Sequence, residues 1–62
     1  MDKTQKIVLE VLTDKPNDIQ YIIDKVRVGH IDIKAVDVKI ACLCLVSDGQ
    51  AKLNDDWQIS RR

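Results

Sequence analysis

Ile19, Ile22, Ile23 and Val26 recur at i, i+3, i+4 and i+7, one apolar stripe on a helix, while Gln20, Asp24, Lys25 and Arg27 fill the opposite side. Asn17 ahead of the stripe, with Gln20 three residues on, reads as a variant capping box. Gly29 reads as the left-handed residue that ends the run. A helix is therefore predicted over about residues 18–27. Upstream, Ile7, Val8, Val11 and Leu12 share the same spacing behind Thr4 as an amino-terminal cap, which predicts a first helix over about 4–12. Pro16 disfavours helix at Lys15 and separates the two.

The third segment, about 33–46, has no such one-sided pattern. Read as a helix capped by Asp32 and closed by Gly49, it carries two stripes: Val38, Ala41, Cys42 and Leu45 on one side, Val36, Ile40 and Leu43 on another. Read as a strand, Val36, Val38, Ile40, Cys42, Cys44 and Val46 alternate with Asp37, Lys39, Ala41, Leu43 and Leu45. Helix is the favoured reading, and the strand reading would make a small α+β domain of two helices and a three-stranded sheet. Beyond it, Ala51 and Leu53, then the turn Asn54-Asp55-Asp56, then Trp57 and Ile59 predict a β-hairpin over about 50–60. Trp57 is expected to plug the core between hairpin and helices, and Ser60, Arg61 and Arg62 to fray. The expected fold class is mainly α with a small β-hairpin, in a single domain spanning 1–62.

Composition narrows the function more than the fold. Sixty-two residues make a thin core, and with no Phe, one Tyr and one Trp that core must be aliphatic. So few aromatics exclude a stacking platform for single-stranded nucleic acid. Ten Lys and Arg balance ten Asp and Glu, so no global basic charge draws the chain to nucleic acid. No signal peptide pattern is present, and the longest apolar run, Ile40 to Val46, is far short of a membrane span. A cytoplasmic setting without membrane attachment is expected.

Candidate chemistry is sparse. Cys42 and Cys44 are too close for an unstrained disulfide, and with His30 the sole histidine they do not assemble a four-ligand metal site. Both read as small buried hydrophobes. Gly29 and Gly49 are the only glycines, so no phosphate loop exists, and no nucleophile–base spacing stands out. A binding module is expected, without catalytic residues, cofactor, metal or small-molecule substrate.

Three short helices followed by a hairpin is the order of the winged helix-turn-helix superfamily. Ile7 to Leu12, Pro16, Ile19 to Val26, the set Val38, Ala41, Cys42, Leu45 and Gly49, and finally Trp57 and Ile59 sit where that superfamily places core and turn residues. With its apolar third helix ending in Gly and an aromatic in the wing, the chain most resembles the carboxy-terminal winged-helix module of the DNA-processing protein A family. The left-handed-DNA-binding winged helices share the Trp57 and Ile59 pair. They carry prolines where Asp55 and Asp56 stand here, and a polar reader where Leu43 stands.

The resemblance implies a small regulator or nucleic-acid-binding subunit on double-stranded DNA. Lys34 and Lys39 would lie on the reading helix, with Arg27, His30 and Lys52 on the backbone. The bases in that stretch outnumber the acids only slightly, and Asp48, Asp55 and Asp56 would repel phosphate. The rival reading takes Val36, Ile40 and Leu43 as a contact surface, left over once the other stripe is buried, for a homodimer or a protein partner.

Overall fold

Asp2 opens the first helix, α1 (Lys3–Val11): its Oδ1 accepts the Gln5 amide at 2.8 Å, the cap assigned above to Thr4. The computed structural model describes residues 2–62. After α1 come β1 (Asn17–Asp18), α2 (Ile19–Gly29), α3 (Ala35–Ser47), β2 (Ala51–Leu53) and β3 (Gln58–Arg61). The fold is α+β: three helices and a three-stranded antiparallel sheet in the order β1-β3-β2.

The second strand pair was not expected. Asn17 pairs with Ile59 and Asp18 with Gln58, so Asn17 is a strand residue and not a helix cap. Asp18 takes the cap position of α2 without a side-chain hydrogen bond. β2 completes the sheet through the pairs Ala51–Arg61, Lys52–Ser60 and Leu53–Ile59. The end expected to fray is instead held on three sides. Ser60 is buried, the Arg61 amide donates to Thr13 O at 2.7 Å, and the Arg61 guanidinium donates to Leu9 O. Alternation alone could not show this, because the partners lie in α1 and the segment after it.

The segment expected over 33–46 is helix from Ala35 to Ser47, and the strand reading with its two-helix domain falls. Its cap is Lys34, not Asp32, and makes no side-chain bond. Two backbone hydrogen bonds close its end. Gln50 N–H donates to Leu45 O at 2.9 Å and Gly49 N–H to Val46 O at 3.1 Å, with Gly49 at φ +79°, a Schellman closure. Gly29 differs from the expectation, because it is the last helical residue of α2 and does not take a positive φ.

Val8 and Leu12 from the first helical region, Ile22, Ile23 and Val26 from α2, Val38, Ala41, Cys42 and Leu45 from α3, and Ala51 and Ile59 from the sheet form one core. α3 lies at its centre, packing on α1, α2 and β2. The Cα radius of gyration is 10.2 Å, close to the roughly 10.6 Å that packing at native density gives a chain this long.

Trp57 is the clearest departure from the sequence reading. It is 69% exposed and so plugs nothing. Asn54 O accepts from Trp57 N–H at 3.1 Å, and Asn54 Oδ1 accepts from the amides of Asp56 and Gln58, both at 2.9 Å. This is a three-residue hairpin loop, whose last position is left-handed and ordinarily glycine. Trp57 holds it at φ +60°. A bulky residue there costs about 1–3 kcal/mol of backbone strain.

Candidate functional site

α3 presents two faces of the same chemistry to different surroundings. Val38, Ala41, Cys42 and Leu45 face the core and are buried. Val36, Ile40 and Leu43, at i, i+4 and i+7, form the outward stripe and are 54%, 54% and 55% exposed. The hairpin does not fold over them. A depression of about 160 Å³ opens beside Ile40, between the start of α1 and α3, with Thr4, Asp37 and Cys44 at its edge. The connection from α2 into α3, residues 30–34, adds Ile31 at 80% exposure, and the last turn of α2 adds Val28 at 84%. Neither of these two was singled out from the sequence. Val28 follows Arg27 outside the Ile19–Val26 stripe, and that offset was the available signal.

The cationic candidates are dispersed along the chain. Arg27 lies in the last turn of α2, and His30, half-buried, is its carboxy-terminal cap, with its amide donating to Val26 O at 3.0 Å. Lys34 starts α3, Lys39 follows in its second turn, and Lys52 is on β2; these three and Arg27 are exposed. Each region also carries exposed acid: Asp32 and Asp37 near the start of α3, Asp55 and Asp56 on the hairpin loop. Asp37 suits the positive end of the α3 dipole, whereas Lys34 opposes it.

A larger cleft, about 450 Å³, lies between α1, the α3–β2 turn and the end of β3. Lys6, Arg61 and Arg62 face it against the single acid Glu10, with Leu9 as an apolar patch. Sequence reading missed it, since its walls come from both ends of the chain.

Both cysteines are free. Cys42 is buried in the core, and loss of solvent pushes its thiol up from 9.0 to about 11, so it stays a neutral apolar filler. Cys44 is only half-buried, at the edge of the smaller depression. Among the described residues no group of three or more His, Cys, Asp or Glu side chains could hold a metal ion, and no helix is long and apolar enough to cross a membrane. Compared with family models, with curated proteins and with solved structures, the chain matches none, so its likeness to winged helices rests on residue pattern and element order alone.

Proposed function

We propose that this chain is a winged-helix module that binds a protein partner through the outward face of α3 and has no catalytic activity of its own. One observation carries the reading: α3, the helix that in a helix-turn-helix would enter the major groove, carries an outward apolar stripe, with Val36, Ile40 and Leu43 half exposed beside Asp37 and Lys39. Anchors at i, i+4 and i+7 are the signature of a helix docking into an apolar groove. The partner is a different protein bearing such a groove. This chain's own large cleft is lined chiefly by charged groups, so a second copy offers no matching groove. A reducing, cytoplasmic setting suits the two free thiols.

Helix-turn-helix order also supports a second reading, double-stranded DNA binding, in which the exposed Lys34 and Lys39 meet the duplex and Arg27, His30 and Lys52 the backbone. It is the weaker reading, since Asp37, Asp55 and Asp56 stand among those cations.

Two experiments separate them. Capture from a lysate of the source cells should retain one protein on the wild-type chain and on Lys25→Ala, and lose it on Ile40→Asp. On duplex DNA at about 50 mM salt, where phosphate contacts are strongest, the chain should not retard. Retardation abolished by Lys34→Glu, or capture indifferent to Ile40→Asp, overturns the protein-binding reading.

A further inference from the structure

The hairpin loop directs an indole into solvent from a backbone position that favours glycine, and the two residues before that indole are exposed carboxylates. Elsewhere on the molecule, the cleft between α1 and the end of β3 has the complementary character. Lys6, Arg61 and Arg62 against Glu10 make its charged side chains mostly cationic, Leu9 gives it an apolar patch, and its volume of about 450 Å³ can admit an aromatic side chain. Trp57 cannot reach the cleft of its own chain, because loop and cleft lie at opposite ends of the centrally placed β3.

We infer that the hairpin loop of one copy inserts Trp57 into this cleft on a second copy, with Asp55 and Asp56 meeting its cationic rim. Each copy then gives one loop and receives one, a head-to-tail contact that closes into a ring or extends as a filament. The zero net charge of the chain offers no long-range repulsion to such packing. None of the contact residues is Val36, Ile40 or Leu43, so the α3 faces stay free. An array would offer several of them at once and raise avidity for a partner carrying more than one groove. The inference stands apart from the proposed function, since it uses different surfaces and needs no partner protein.

Trp57 is the sole tryptophan, so its own fluorescence reports the contact. At low salt, raising the concentration should shift its emission to shorter wavelength in step with a rise in mass above 7.1 kDa, and added salt should reverse both. Asp55→Lys with Asp56→Lys, and separately Lys6→Glu with Arg62→Glu, should each weaken association at least about tenfold. Trp57→Gly relieves the loop backbone, so it should keep the fold and lose the association. Mixing Trp57→Gly, whose cleft is intact, with the Lys6→Glu, Arg62→Glu variant, whose loop is intact, should restore a one-to-one pair. Ile40→Asp should change none of this. Emission that stays at its solvent-exposed wavelength at millimolar concentration overturns the inference. So does a mass increase without an emission shift, or a mixture that fails to pair.

Discussion

α2 and α3 are packed alike on their inner sides and differ in the middle of their outer ones. Each buries three or four aliphatic or small side chains in the common core, Ile22, Ile23 and Val26 from one and Val38, Ala41, Cys42 and Leu45 from the other. Outside, α2 shows Gln20, Asp24, Lys25 and Arg27, which water satisfies, with Tyr21 and Val28 the exposed apolar side chains among them and Lys25 Nζ 5.8 Å from the Tyr21 ring centre. The outer side of α3 shows Val36, Ile40 and Leu43. The fold alone explains every apolar residue of the α2 stripe. On α3 it leaves Val36, Ile40 and Leu43 over, and that surplus is the reason for assigning that surface a partner.

The largest effects should test the equality of the inner faces. Ile22→Ala and Leu45→Ala should each cost about 2–5 kcal/mol in urea unfolding, since both side chains are fully buried. Leu43→Ala, two residues from Leu45 on the same helix, should change stability by less than about 0.5 kcal/mol. A large loss at Leu43 would mean that its contacts lie within the chain, and the contrast between the helices would collapse.

The helix ends give the next test. Gly49→Ala should destabilise by about 1 kcal/mol, because alanine is strained at φ +79°. Gly29→Ala should stabilise by roughly 0.5–1 kcal/mol, since the site is helical and an added Cβ meets nothing within 4 Å. Equal effects of one sign would show that the two helices terminate alike.

A smaller, pH-dependent effect belongs to the inner side of α3. An unfolded chain ionises the Cys42 thiol near 9.0, whereas burial holds it neutral to about 11. Unfolding therefore releases a proton in that window, so stability should fall as pH rises from 9.0 to about 11 and be indifferent to this group below it. Cys42→Ala should remove that alkaline decline. On the native protein at neutral pH, a thiol reagent should modify the half-buried Cys44 well before Cys42.

How far the sequence could be read follows from the same contrast. α2 was legible because its stripe is one-sided and a single period explains it. Residues 33–46 satisfied helical and strand periods at once, and what decides between them is packing on α1, α2 and β2, which a linear pattern does not contain. The outward stripe on α3 could still be named, since assigning Val38, Ala41, Cys42 and Leu45 to the core leaves Val36, Ile40 and Leu43 over. β1 was hidden because two residues carry no alternation, and Asn17 suits a cap as well as a strand. Trp57 was misplaced by a sound general expectation, that a thin core recruits its largest aromatic. The observed turn depends on the side chain of Asn54, whose Oδ1 accepts hydrogen bonds from two backbone N–H groups of the loop and leaves the indole outside.

The most direct test replaces Leu43 by a photoreactive amino acid, with the same replacement at Lys25 on the outer side of α2 as control, and irradiates each in source-cell extract. The account predicts a discrete protein adduct from position 43 and none from position 25. An adduct to DNA from position 43, or identical products from the two positions, would contradict it.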